Sequence, residues 1–212
     1  MAVVAERPVL VAPDAFGGGL RAAVAAGAIG RGLERAGLLP PDLCPLAGVQ
    51  EALLLALGGE CVGEIALLED GGTAVIEHVG QLDAAVAAGA RVVVLAGGEA
   101  APPRPRDVRI VVPDAAFMLD ALDFDARMRA ARAVVTGTGR LDAATLRGGI
   151  VGEIGTRTRQ AGVPLHAIVG EDALDPFGKR MVDLQVVAEA GTPPELEAAG
   201  EALGRALAAG GV

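Results

Sequence analysis

Aromatic residues are nearly absent from this chain: it has no tryptophan, no tyrosine and four phenylalanines in 212 residues. Its core must therefore be assembled from alanine, valine and leucine through many small dispersion contacts. Hydrophobic residues make up 52% of the chain, enough to bury a sizeable core in one large domain or two small ones. Cysteine is as scarce. Cys44 and Cys61 are too few for a disulfide scaffold, and no Cys-x-x-Cys pair or histidine cluster points to zinc. Two histidines, His78 and His166, exclude a His-rich metal site and read as ordinary core or edge residues of apolar strands. Lysine is reduced to Lys179 beside 17 arginines, which removes the usual point-charge partner of phosphate groups from almost every loop. The net charge of −9 argues against non-specific nucleic-acid binding. No apolar run reaches the roughly 18 residues of a membrane span. Residues 1–7 contain Glu6 and lack an apolar signal core. These features read as a soluble, cytoplasmic protein without membrane or nucleic-acid partners.

The chain alternates short β-branched runs with helical periodicity. Val9–Ala12 is a strand ending at Pro13-Asp14, and residues 20–36 carry Leu20, Val24, Ala28, Ile29 and Leu33 at helical spacing. Leu43–Leu46 reads as a strand and Gln50–Leu57 as a helix stopped by Gly58-Gly59. Strands at Val62–Leu67 and Thr73–Val79 flank the turn Glu69-Asp70-Gly71-Gly72. A helix at Leu82–Ala88 precedes a strand at Arg91–Ala96 that ends in Gly97-Gly98. Residues 101–107, APPRPRD, form a connector, and Val108–Val112 is a strand ending at Pro113-Asp114. Ala115–Arg132 reads as helix with a break near Asp123. Strands at Ala133–Thr136, Leu165–Val169 and Leu184–Val187 and helices at Ala143–Ala161 and Glu195–Ala209 complete the pattern. Such alternation implies βαβ units: an α/β fold with a mostly parallel sheet flanked by helices.

Residues 134–149, VVTGTGRLDAATLRGG, are the most informative stretch. They read as a strand, a Gly137-Thr138-Gly139-Arg140 loop and a helix start after Asp142. Such a junction turns backbone N–H groups and a helix dipole toward one spot, suited to a phosphate or carboxylate. In open α/β sheets the crevice beyond the strand C-termini is the default ligand site, and Asp14, Gly97-Gly98 and residues 137–142 all lie at such ends.

The order of these segments resembles the bacterial two-domain glycerate kinases. VLVAPDAFGGGLRAAVAAGAIGRGL (9–33), DGGTAVIEHV (70–79), GQLDAAVAAGARVVVLAGGEA (80–100), VRIVVPD (108–114), LDALDFDARMRAARAVVTGTGRLDAATLRGG (119–149) and AGVPLHAIVG (161–170) follow that family in sequence, the fifth most specifically. The resemblance implies a Rossmann-like main lobe over 1–68 and 130–212 with a small, contracted inserted lobe over 69–129. It also implies ATP-dependent, Mg²⁺-assisted phosphorylation of glycerate.

The departures lie in the loops. Where the family has Pro-Asp-Ser-Phe-Lys-x-Ser, this chain has Pro13-Asp14-Ala15-Phe16-Gly17-Gly18-Gly19, so both hydroxyls and the lysine are gone. The family's acidic Ala-Asp-Gly-Gly-Glu-Gly-Thr loop is replaced by Ala47-Gly48-Val49. Its Ser and Asp-Gly-Gly after the glycine pair are replaced by Glu99-Ala100-Ala101-Pro102, and most of its large central stretch is absent. In the last loop the family's Glu, Gln and closing Lys stand here as Thr138, Ala144 and Gly149.

The resemblance carries catalytic roles onto Asp14, Asp142 and Arg140, nucleotide contacts onto Gly97, Gly98, Gly137, Gly139 and Thr145, and a metal ligand onto Asp114. Several of these have a second, structural reading. Asp142 and Asp114 are also placed to cap the helices after them, Asp14 is also a turn residue, and Gly97-Gly98 also ends a strand. Arg104 and Arg106 read as surface charge. Phosphoryl transfer needs cations on the developing phosphate charge, and losing one electrostatic stabiliser costs roughly two to three powers of ten in rate. The expectation is a shortened family member of weak or lost activity that binds a small anionic metabolite or a nucleotide, or serves in assembly or regulation. ATP and Mg²⁺ are its cofactors if it is active, and otherwise it has none. The alternative is a working kinase completed by a second copy or a partner subunit.

Overall fold

The structure is a computed structural model that describes residues 7–46, 48–96, 107–147 and 149–210. Its order is β1 (Val9–Pro13), α1 (Ala22–Arg35), β2 (Asp42–Leu43), α2 (Val49–Leu57), β3 (Gly59–Val62), β4 (Ile65–Leu68), β5 (Thr73–Ile76), a 3-10 turn (Val79–Gln81), α3 (Leu82–Ala87), β6 (Val92–Leu95), β7 (Arg109–Val111), α4 (Ala115–Ala121), α5 (Phe124–Ala130), β8 (Ala133–Leu141), α6 (Ala143–Leu146), α7 (Ile150–Ala161), β9 (Leu165–Asp172), α8 (Pro176–Met181), β10 (Leu184–Glu189) and α9 (Pro193–Ala208). The described residues form two compact units, one from the ranges 1–47 and 123–212 and one from 48–122.

The first unit is a five-stranded, all-parallel sheet in the order β10-β9-β8-β1-β2. The N-terminal strand thus pairs with β8, Val9 opposite Ala133 and Pro13 opposite Gly137. On one face, Val9, Val11, Val135 and Ile168 pack under Ile29 and Leu33 of α1 and Leu196, Leu203 and Leu207 of α9. On the other, Ala167 and Val169 pack with Val151 of α7. Small residues let α1 and α9 approach closely. A Cβ on Gly32 would lie 2.1 Å from the Glu197 carbonyl oxygen, and one on Gly200 would lie 2.5 Å from that of Ile29. Glu197 adds ion pairs to Arg31 and Arg35 at the exposed rim.

The second unit carries a five-stranded mixed sheet, β3-β4-β5-β6-β7. β3 and β4 form an antiparallel hairpin that continues onto β5, and β5, β6 and β7 run parallel. One face packs against α3 through Leu82 and Ala85. The other packs against α2 and α4 through Leu53 and Phe117. The sequence grouped residues 48–68 with the outer segments. In the structure they join the second unit, because Ala66 and Leu67 bond to Val75 and Ala74 of β5. The helix break expected near Asp123 is present: Asp123 takes a left-handed φ of 51° between α4 and α5.

Two elements differ in extent from the sequence reading. The strand expected over 133–136 runs on to Leu141, so Gly137–Arg140 is strand, not loop. The helix expected over 143–161 is two helices, α6 and α7, separated at Arg147 (φ −88°, ψ 90°). The chain folds back sharply there. A Cβ on Gly149 would lie 2.4 Å from the Thr145 carbonyl oxygen, and one on Gly152 would lie 2.1 Å from that of Leu146. No helix among the described residues is long and apolar enough to cross a membrane.

Candidate functional site

The C-terminal edge of the first sheet gathers Asp14, Arg140, Asp142 and Thr145. Asp14 follows β1; its backbone N–H donates to the Gly137 carbonyl at 2.8 Å, and its carboxylate accepts from Ala15 N at 2.7 Å. The carboxyl is half-buried, and burial pushes its pKa up, partly offset by the Ala15 bond. A desolvated carboxyl at a strand C-terminus is a functional candidate on physical grounds.

The backbone after Asp14 runs tightly along β8. Gly139 N donates to the Ala15 carbonyl at 2.9 Å. A Cβ on Gly137 would meet the Phe16 ring at 2.8 Å, and one on Gly139 would meet the Phe16 carbonyl oxygen at 2.3 Å. These two glycines therefore serve the passage of Phe16, whatever else they contact. Gly17, Gly18 and Gly19 all take positive φ beyond it, in open space.

Arg140, on β8, is exposed but not free. Its Nε lies 3.3 Å from Asp142 Oδ2, and its guanidinium also pairs with Glu171 of β9. Glu171, through hydrogen bond and charge, holds the Arg140 pKa up, with Asp142 adding to it. Asp142 caps α6, accepting from Ala144 N at 2.9 Å, Thr145 N at 3.0 Å and the Thr145 hydroxyl at 3.0 Å. Those Thr145 bonds, backbone first, pull the Asp142 pKa down. Thr145 also donates to the Arg140 carbonyl at 3.0 Å. Asp142 thus performs the capping role of its second reading, closing a capping box around α6.

Asp14 and Asp142 leave the same edge of the sheet at different heights. The register pairs Pro13 with Gly137, so Asp142 lies about four residues farther along, about 13 Å at strand rise. Arg140 lies between those levels, already balanced by two carboxylates.

Acidic residues at the end of β9 were missed by sequence reasoning. Besides Glu171, Asp172 pairs with Lys179 of α8, the chain's one lysine, and the Asp172 backbone donates to Glu189 at 2.8 Å. The signal was present as Gly170-Glu171-Asp172 following an apolar run, the same pattern that marked Asp14. Arg147, at the C-cap of α6, is exposed and has no partner among the described residues.

The remaining candidates lie elsewhere. Asp114 belongs to the second unit, where it caps α4 by accepting from Phe117 N at 2.7 Å. Gly97 and Gly98, with Glu99, Arg104 and Arg106, lie outside the described residues. Among the described residues no three Asp, Glu, His or Cys side chains gather as a metal-ligand set. His78 is exposed and caps the 3-10 turn after β5. His166 is wholly buried in β9 with neither ring nitrogen hydrogen-bonded among the described residues, and burial lowers its pKa to about 4.

The Arg140 guanidinium is already engaged, and Lys179 is held by Asp172. Arg147 is thus the cation beside this edge that the described residues leave unengaged.

Comparison with known proteins bears on the fold and the family. No curated protein sequence matches the chain significantly. Among solved structures, the chain resembles one described as "putative glycerate kinase 2" from Salmonella typhimurium LT2. The TM-score is 0.70 at 14% identity, over 96% of this chain and 99% of that one. At that identity the likeness establishes a common fold. The model of the glycerate kinase family matches residues 96–206, just over half the chain and including β8, Arg140, Asp142 and Thr145. The chain belongs to the glycerate kinase family.

Proposed function

We propose that this family member has weak or lost kinase activity and retains binding of a small anionic metabolite or a nucleotide phosphate at the C-terminal edge of its first sheet. The observation that carries this reading is the pairing of Arg140 with both Glu171 and Asp142. The guanidinium inherited beside the expected phosphate position is neutralised, and the loop after Asp14 offers only glycine backbone where the family carries lysine and hydroxyls. A loop stripped of its cations cannot stabilise the charge that develops in phosphoryl transfer. The protein then acts in the cytoplasm as an anion-binding, assembly or regulatory member of the family.

A second reading starts from the half-buried Asp14 carboxyl, which burial keeps closer to its neutral form at the end of β1. In it, a partner subunit or a second copy supplies cations beside that carboxyl, and the completed assembly phosphorylates glycerate or a similar hydroxy acid with ATP and Mg²⁺. A coupled ADP-release assay with D-glycerate, run beside ATP-binding calorimetry and a measurement of oligomeric state, separates the two. Turnover confined to an assembled state supports the second reading. Robust turnover by the monomer overturns the first.

A further inference from the structure

The second unit holds a cleft that the candidate site does not use. It lies between α2 and α4 on the face of the second sheet that those helices cover and encloses about 310 Å³, the lower end of the range for small-molecule sites. Leu53, Leu57, Leu68 and Phe117 form its apolar walls, and Asp70 and Arg109 line it as well. Thr73, Val92 and Arg109, the first residues of β5, β6 and β7, stand side by side along it. The cleft therefore opens at the N-terminal edge of these parallel strands, opposite the edge where α/β folds place their usual ligands.

The two charges differ from their surroundings. Arg109 is exposed and has no partner among the described residues. Asp70 is held by its own turn, accepting from Gly72 N at 2.9 Å, Thr73 N at 2.8 Å and the Thr73 hydroxyl at 2.6 Å. These bonds, the hydroxyl first, hold its carboxyl below the usual range. Oδ2 takes only the hydroxyl bond and keeps accepting capacity. The strand spacing puts the Thr73 and Arg109 backbones about 10 Å apart, leaving room for a small group between the two charged side chains. Arg91 and Arg109 are the cations among the described residues of a unit whose remaining described charges are acidic. That field disfavours a plain anion and leaves a zwitterion unpenalised.

We propose that this cleft binds a free hydrophobic α-amino acid, with its carboxylate on Arg109, its ammonium on Asp70 and its aliphatic or aromatic side chain among Leu53, Leu57, Leu68 and Phe117. This site is independent of the function assigned to the first sheet.

The test is calorimetry of the purified full chain with L-leucine and L-phenylalanine. Each is compared with its deaminated analogue (4-methylpentanoate, 3-phenylpropanoate) and its decarboxylated analogue (isoamylamine, phenethylamine). One saturable site for the amino acid, with both analogues weaker by about tenfold or more, supports the proposal. Arg109→Gln is at an exposed position and leaves the fold intact; it should weaken the amino acid about tenfold without weakening the amine. Leu57→Ser should weaken leucine more than alanine. An analogue that binds as well as the amino acid overturns the zwitterion assignment. No heat at millimolar ligand, or a dimer that Leu57→Ser dissociates, shows that the cleft holds something else or nothing and overturns the site.

Discussion

The carbonyl oxygen of Phe16 occupies the space that a side chain on Gly139 would fill, 2.3 Å from the position of its Cβ. The segment after β1 is thereby pressed against β8 at the sheet edge that carries Asp14 and Arg140. Gly139→Ala should accordingly destabilise the protein by about 1–3 kcal/mol, the range for an overpacked site. Gly80→Ala, where a Cβ would meet nothing within 4 Å, should be nearly neutral. Urea unfolding of both variants checks this, and equal midpoints would contradict the close approach.

His166 makes stability pH-dependent in a defined window. Its pKa falls from 6.5 in the unfolded chain to about 4 when folded, so between those values the unfolded state binds the extra proton. Its neutral form is accommodated above pH 6.5, and stability is lost progressively as pH falls from there toward 4. The full loss is about 3 kcal/mol. His166→Leu should flatten this segment of the stability profile. A variant whose profile parallels the parent's between pH 7 and 4.5 would remove His166 as the cause.

The occupied state of Arg140 has a consequence for anion binding. Glu171→Gln removes one of the two carboxylates on the guanidinium, so phosphate binding followed by amide NMR shifts of residues 136–142 should tighten several-fold, to about tenfold. Arg140→Ala should abolish it, and added salt should weaken it because the group is exposed. Shifts that stay away from β8 in both variants would place the anion elsewhere.

Turnover of D-glycerate by the monomer, with ATP and Mg²⁺, should lie far below about 1 s⁻¹, the low end of ordinary enzymes. Asp142→Ala should cost about 1 kcal/mol of stability through loss of the α6 cap and change this rate little. A brisk rate abolished by Asp14→Asn would show that the inherited site still works.

What the sequence determined by itself is everything governed by neighbours along the chain. Its β-branched runs, helical spacing and capping residues specified the α/β alternation, the Asp114 and Asp142 caps and the break at Asp123, because each depends on contacts a few residues away. The order of segments was sufficient to reveal the family. Tertiary structure decided the rest. Gly137 and Gly139 suit a flexible loop as well as a crowded strand, and it takes pairing with β9 and the close passage of Phe16, from more than a hundred residues earlier, to select the strand. Arg140 reads as an available cation until β9 brings Glu171 beside it. His166 differs from an ordinary strand histidine only because helices close over its face of the sheet. In each case the deciding partner is distant in sequence, and only packing sets which charges are neutralised and which groups lose water.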